Sequence, residues 1–141
     1  DAQESRGLGD VYKRQILGIT AKAVNLKQRF VHLPLTKNGS SRNVPLSKRA
    51  VGLIGILLGE KKGAEKLFRL TSASADAMFR KVRDDVAIVG LTFHDTRHEA
   101  ITRLARKVDV LDLARITGHK DPRSLMVYYN ATASEMALRL D

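Results

Sequence analysis

The chain carries a set of side chains whose types and spacing suit chemistry on a phosphate ester. His94 and Arg97 stand three positions apart, His119 follows a glycine, and Tyr128 lies nine residues beyond His119. An arginine can hold phosphate oxygens with its planar guanidinium, and a tyrosine offers a phenol as nucleophile. Because a phosphodiester repels nucleophiles through its charge, its cleavage needs cations around the phosphate and an acid for the leaving group.

Local signals place His94 and Arg97 at the start of a helix. Thr92 is a predicted N-cap, and Asp95 completes a capping box with it. His94 then lies in the first turn, where free backbone N–H groups favour an anion. Arg97 follows on the same face, and Ile101 continues that face inward as an anchor.

Turn signals fix His119 and Tyr128 in the same way. A helix is predicted over about 110–117 with Asp109 as its N-cap, and Gly118 suits the left-handed turn that ends it. His119 therefore follows directly after a sharp turn. Asp121–Pro122 then starts a short helix, which carries Tyr128.

Residues 29–46 are predicted to form an antiparallel hairpin. The strands run over 29–33 and 42–46, and Asn38–Gly39 is a strong hairpin turn signal. Lys37 then lies at the tip or shoulder of the hairpin. Its position alone favours a solvated turn lysine.

Three more helices are predicted from amphipathic spacing and caps. One runs over about 48–58 with Ser47 as its N-cap, and a second is capped by Ser72 or Ser74 and ends near Val89. The second helix is predicted to bury Ala77, Met78, Val82 and Val86. Its outward face would carry Arg80, Lys81 and Arg83. A last helix opens with Thr132 and is predicted to bury Met136, Ala137 and Leu140.

Composition narrows the class of partner. The 141 residues include 25 Lys and Arg against 15 Asp and Glu, a formal net charge of +10. This balance favours a polyanionic partner, most simply nucleic acid, although a merely soluble surface gives the same counts. The absence of cysteine excludes disulfides and thiolate metal sites. No apolar run reaches the roughly 18 residues that a membrane span needs.

In combination these residues resemble the catalytic domain of the tyrosine recombinases, the phage-integrase family. The family pattern is an arginine, a lysine on a β-hairpin, a His-x-x-Arg pair, a further histidine, and a tyrosine nine residues later. His94 and Arg97 match the pair, His119 and Tyr128 match the last two positions, and Lys37 matches the hairpin lysine. The resemblance covers roughly residue 15 to the end of the chain.

The resemblance implies a mainly α fold with a small antiparallel β-sheet, the DNA breaking-rejoining fold. It implies that Tyr128 attacks DNA and forms a 3′-phosphotyrosyl link. Arg97 and His119 would hold the non-bridging oxygens, and His94 would assist phosphate contact or proton movement. Lys37 would protonate the leaving 5′-hydroxyl. No metal or other cofactor is implied.

The implied partners are double-stranded DNA and further copies of the chain, which would form a tetrameric synapse on the DNA. The resemblance implies a cytoplasmic protein that a bacterium or a phage encodes, with no membrane partner. Tyr129 is expected to be a neighbour of the nucleophile, not the nucleophile itself. The predicted DNA contacts are Arg42, Arg80, Lys81, Arg83, Lys120 and Arg123.

The beginning of the chain departs from the family pattern. Residues 1–15 are predicted to be a non-native extension, because they lack an apolar face and resemble translated adapter sequence. Residues 16–141 would then be a partial catalytic domain. In register with the family, Tyr12 falls where the first arginine is expected. We therefore expect this chain to fold but to form little covalent adduct.

Two other interpretations remain open at this point. Taken singly, a histidine at a helix start is commonly a cap, Arg97 could pair with Asp95 or Glu99, and a tyrosine pair is commonly core packing. The chain would then be a non-catalytic basic DNA-binding module. An RNA-binding domain is disfavoured, because aromatic residues make up only 5% of the chain.

Overall fold

A computed structural model describes residues 12–34 and 41–141. In these ranges the helices are α1 (residues 12–17), α2 (Lys48–Leu58), α3 (Ser72–Asp85), α4 (Phe93–Ala105), α5 (Val110–Thr117) and α6 (Ala133–Ala137). Two 3₁₀ segments cover Ala21–Ala23 and Pro122–Tyr128, and three strands are β1 (Val24–Asn25), β2 (Phe30–Leu33) and β3 (Arg42–Pro45). This architecture confirms the predicted mainly helical fold with a small antiparallel sheet.

The sheet has the order β1-β2-β3, and both pairings are antiparallel. Val31 pairs with Val44 across the hairpin and is buried. The two-residue strand β1 was not predicted, since so short a strand has no visible alternation. Lys37 and the Asn38–Gly39 turn lie outside the described residues, so their predicted positions stay predictions.

The hydrophobic core that carries the site lies between α4, α5 and the second 3₁₀ segment. Ile101, Leu113, Ala114 and Leu125 are buried there, and both Tyr128 and Tyr129 pack against them. The short helix predicted from Asp121–Pro122 is a 3₁₀ helix, Pro122–Tyr128. Its hydrogen bonds join residues three apart, as in a 3₁₀ helix: the N–H of Tyr129 donates to the carbonyl of Met126.

Caps predicted from sequence set the helix boundaries around the site. Thr92 and Asp95 form the capping box of α4, and Asp109 caps α5. Gly118 ends α5 with φ +82°, a left-handed conformation that favours glycine.

The predicted orientation of α3 is wrong. Its N-cap is Thr71, and the helix ends at Asp85, before Ala87 and Gly90 take positive φ values. The inward face carries Asp76, which pairs with Lys13 at 2.7 Å. Phe79 on the same face contacts Phe93 edge to face, with ring centroids 5.7 Å apart.

These two contacts rotate α3 away from the orientation that its apolar spacing predicted. The four residues expected inside are exposed: Ala77, Met78, Val82 and Val86. Arg83 is half-buried instead of outward, and its guanidinium donates to the carbonyl of Leu91 at 3.3 Å. Arg80 and Lys81 are exposed, as expected.

The prediction for α6 is also wrong in its burial. Met136, Ala137 and Leu140 are exposed, because no described element packs closely against this short helix. In the described ranges, no helix is both long and apolar enough to cross a bilayer.

Candidate active site

Three cationic or protonatable side chains converge on the last turn of α5. Arg97 Nη2 donates to the carbonyl of Thr117 at 2.9 Å, and Arg42 Nε donates to the carbonyl of Ile116 at 3.2 Å. His119 Nδ1 lies 2.6 Å from the Thr117 hydroxyl. The last carbonyls of a helix lack partners within the helix and carry its negative dipole end. Arg97 from α4 and Arg42 from β3 satisfy two of them.

Electrostatics in this cluster favour an anion. Burial lowers the pKa of His119, and the nearby charges of Arg97 and Arg42 lower it further. Burial also lowers the pKa of Arg97, while Tyr12 raises it and Arg42 lowers it. None of these groups is a carboxylate. A phosphate bound here would therefore relieve repulsion between arginines that form no ion pair with a described carboxylate.

The absence of a side chain at Gly118 allows the guanidinium of Arg42 to approach the backbone closely. A Cβ on Gly118 would lie 2.7 Å from Nη1 and 2.9 Å from Cζ of Arg42. The guanidinium of Arg42 therefore rests directly against the backbone at the end of α5. A glycine is needed here for its left-handed conformation and also for this close approach.

Gly118→Ala should destabilise the chain by about 1–2 kcal/mol, because alanine is strained in the left-handed region and its methyl displaces Arg42. Urea unfolding measures this cost. Gly52→Ala is the matched control, since nothing lies within 4 Å of the added Cβ on α2. It should be neutral or stabilising. Equal stability of the two variants would contradict the described packing.

His94 lies at the edge of the cluster, between Tyr12 and His98. Its ring stacks on Tyr12 with centroids 5.7 Å apart, and it meets His98 edge to face at 4.6 Å. His94 Nδ1 is buried and has no hydrogen-bond partner within residues 12–34 and 41–141. Burial lowers the pKa of His94 first, and His98 and Arg97 lower it further. An unpaired buried nitrogen is costly, so this atom is suited to contact a bound ligand.

Tyr12 covers one face of the Arg97 guanidinium. Arg97 Cζ lies 3.6 Å from the centroid of the Tyr12 ring, a cation–π contact. Sequence reasoning placed Tyr12 at the position of the family's first arginine, but it did not foresee this contact. A tyrosine here covers the guanidinium with its ring and adds no positive charge. The predicted boundary at Ile16 falls inside α1 and stays a prediction.

The two neighbouring tyrosines have different environments. Tyr129 donates its hydroxyl proton to the carbonyl of Val108 at 2.8 Å. Burial raises the pKa of Tyr129, and Asp109 and Asp112 raise it further. Tyr128 Oη instead lies 2.8 Å from His98 Nδ1, on the side of α4 that carries Arg97. The hydroxyl of Tyr129 is thus held by the backbone, whereas that of Tyr128 faces an imidazole.

Sequence reasoning missed the contact of His98 with Tyr128. It assigned no role to His98, which lies four residues after His94. The available signal was that same spacing, which places His98 on the face of α4 that carries His94 and Arg97.

The predicted DNA contacts are spread over several surfaces. Lys120 is exposed beside His119, and both line a cleft of about 810 Å³ between β3 and α5. Arg115 also lines this cleft and was not predicted. Arg123 is exposed, but its guanidinium pairs with Asp121 at 2.9 Å. Residues of α3, which carries Arg80 and Lys81, do not line the cleft.

Stability should fall as the pH is lowered from 7.5 to 5.5. The pKa values of His94 and His119 lie below the ordinary 6.5, so the unfolded chain binds more protons in this window. The free energy of unfolding therefore rises with pH, and the loss is complete below both folded pKa values. Urea unfolding across this window measures the slope. A double variant, His94→Gln with His119→Gln, should flatten it, and an unchanged slope would contradict this assignment.

Comparison with known proteins gives consistent matches. The family model described as "Phage integrase family" matches residues 13–135. A Haemophilus influenzae protein named "Putative integrase/recombinase" is 47% identical over 119 residues, which cover 84% of this chain and 39% of that protein. The "Shufflon-specific DNA recombinase" of Escherichia coli is 33% identical, with 90% of this chain and 33% of that protein covered.

The fold is also shared with a solved structure. A Tn1549 transposon integrase in complex with a circular intermediate DNA superposes with a TM-score of 0.71 at 20% identity. The match covers 89% of this chain and 52% of that one. It confirms the catalytic-domain fold expected from the sequence. The chain spans only a third to about half of the length of these proteins.

Proposed function

Because the chain belongs to the phage integrase family, we propose that it is part of an enzyme that cuts and rejoins DNA at specific sites through a tyrosine nucleophile. The observation that carries the proposal is the convergence of Arg97, Arg42 and His119 on one helix end, with Tyr128 close to Arg97. Burial lowers the pKa of Arg97 overall, and Tyr128 is close enough to act on it electrostatically in the opposite direction. The arrangement supplies cations for a phosphate and a phenol to attack it.

The roles follow from the positions of the side chains. Arg97 and His119 hold the non-bridging oxygens, and His94 contacts the phosphate through its unpaired Nδ1. Tyr128 attacks phosphorus, and the 5′-oxygen leaves with a proton from Lys37, which lies outside the described residues. The resulting 3′-phosphotyrosyl link retains the energy of the broken bond, so rejoining needs no added energy source.

The proposed partner is double-stranded DNA, and the proposed assembly is a tetrameric synapse in the cytoplasm. Arg42 and Lys120 are the best placed of the predicted contacts, since both line the cleft between β3 and α5. Arg80 and Lys81 would contact DNA from a separate surface. Arg83 and Arg123 are weaker candidates, because neither lines the cleft and each already pairs with a carboxylate, that of Asp84 or Asp121.

One observation favours a second candidate function. Tyr12 covers the Arg97 guanidinium, and the position carries no charge of its own. A chain in this state could bind DNA through its remaining cations without cleaving it. It would then act as a non-catalytic basic DNA-binding module.

Covalent capture on nicked DNA tests the proposal. The substrate is a pool of nicked duplexes of random sequence. After cleavage the short strand piece between the cut and the nick diffuses away, so rejoining cannot occur and the protein stays covalently attached to the DNA. The adduct survives denaturing electrophoresis. Trypsin then releases residues 124–139 as one peptide that contains Tyr128 and Tyr129. Fragment masses identify the modified tyrosine. A gel shift without any adduct would support the binding module instead.

A further inference from the structure

We propose that His98 is a catalytic residue that takes the phenolic proton of Tyr128 as Tyr128 attacks phosphorus. The inference rests on the proposed function and deepens it. Its basis is the 2.8 Å contact between His98 Nδ1 and Tyr128 Oη. That distance lies within the reach of direct proton transfer.

Buried residues of the same two elements set this contact. His98 belongs to α4, whose Ile101 is 3% exposed, and Tyr128 ends the 3₁₀ segment whose Leu125 is 1% exposed. Ile101 and Leu125 belong to one core cluster, and Tyr128 packs against that cluster. The packing of Ile101 and Leu125 thus fixes the relative positions of His98 and Tyr128, although His98 itself is exposed.

The other nearby groups are less suited to accept the proton. Arg97 remains protonated at any pH where the protein is folded. His119 Nδ1 is engaged by the Thr117 hydroxyl, and Tyr129 is bonded to a backbone carbonyl. His94 contacts His98 through the ring edge. Among the residues that the structure describes, His98 is the imidazole bonded to the Tyr128 oxygen.

Charges around His98 come from its own helix and from the tyrosine. His94 and Arg97 lie on the same face of α4 as His98. Asp95 lies on the same helix, and its carboxylate already accepts from the N–H and hydroxyl of Thr92. Glu99 is held by Arg103 at 2.8 Å.

The step balances without a further reagent. A lone pair of Tyr128 Oη forms the bond to phosphorus, and the Oη proton passes to His98 Nδ1. The bond from phosphorus to the 5′-oxygen breaks, and its electron pair stays on that oxygen, which takes a proton from a separate acid. On rejoining, His98 returns the proton to the departing tyrosine.

The test is the single-turnover rate of adduct formation between pH 5.5 and 9, measured for the Tyr12→Arg chain with and without His98→Gln. Glutamine keeps a polar side chain but cannot take the proton. We expect His98→Gln to lower the rate by ~10²–10⁴-fold at pH 7. The parent rate should level off once the imidazole is neutral. The variant rate should keep rising with pH, because solvent must then remove the proton.

Three readouts separate the possible explanations. His32→Gln, a matched change at an exposed histidine of β2, should leave both rate and profile unchanged. DNA binding by gel shift should be the same for parent and His98→Gln. A rate within twofold of the parent, or a loss with an unchanged pH profile, would overturn the role of His98 while leaving the proposed function intact. No adduct from the parent would overturn the proposed function, and this inference with it.

Discussion

Tyr12→Arg should raise the rate of covalent adduct formation by the 141-residue chain ~10²–10³-fold, the usual effect of one preorganised charge donor. In the present chain the Tyr12 ring lies on the Arg97 guanidinium at 3.6 Å and adds no charge. An arginine at this position would uncover Arg97. It would also add a second guanidinium that can donate hydrogen bonds to the phosphate oxygens, as the family pattern implies.

Tyr12→Ala is the control that separates uncovering from added charge. It exposes the face of Arg97 but supplies no cation, so its gain should be much smaller. Both variants lose the cation–π contact, and Tyr12→Arg also adds repulsion with Arg97 and Arg42. Its thermal stability without DNA should therefore fall, and DNA should restore it. Equal rates for all three chains would show that position 12 is not the site of the missing arginine.

Tyr128→Phe should abolish the adduct in the Tyr12→Arg chain, because no other described group is placed to attack the phosphate. The change removes one oxygen from a half-buried ring that packs on the core, so the fold should survive. Denaturing electrophoresis after incubation with the nicked duplex pool measures the loss. A gel shift of unchanged strength would show that DNA binding is intact.

Tyr129→Phe is the matched control for that experiment. It removes the bond to the carbonyl of Val108 and should cost about 1 kcal/mol of stability. Most of the adduct should remain. If Tyr129→Phe removed the adduct and Tyr128→Phe did not, the nine-residue spacing from His119 would be the wrong guide. The similarity to the family would then hold for the fold and not for the nucleophile.

Local signals in the sequence were sufficient for the helix ends that surround the site. The caps at Ser47, Thr92, Asp109 and Thr132, and the left-handed turn at Gly118, were all read correctly. Each of these depends on side chains within three or four residues, so sequence contains the whole interaction. The order and spacing of His94, Arg97, His119 and Tyr128 can also be read directly from the sequence.

Contacts between distant parts of the chain could not be read in the same way. Arg42 reaches Ile116 across 74 positions, and His98 reaches Tyr128 across 30. Neither contact follows from periodicity or capping. The predicted orientation of α3 was wrong for the same reason, because apolar spacing defines a helix face but does not show which neighbouring element covers it. Here the contacts of Asp76 with Lys13 and of Phe79 with Phe93 decide the orientation, although more apolar residues lie on the exposed face.

The anchoring of two arginines on the last turn of α5 has a consequence for how the sequence can vary. Arg97 and Arg42 bind the carbonyl oxygens of Thr117 and Ile116, and every amino acid supplies such an oxygen. Mutations at position 116 can therefore change the side chain without removing the support of Arg42. The tolerance ends two residues later at Gly118, because its left-handed backbone disfavours a side chain and an added Cβ would lie 2.7 Å from Nη1 of Arg42. Random mutagenesis of this segment should thus give a sharp step, with many functional substitutions at 116 and almost none at 118.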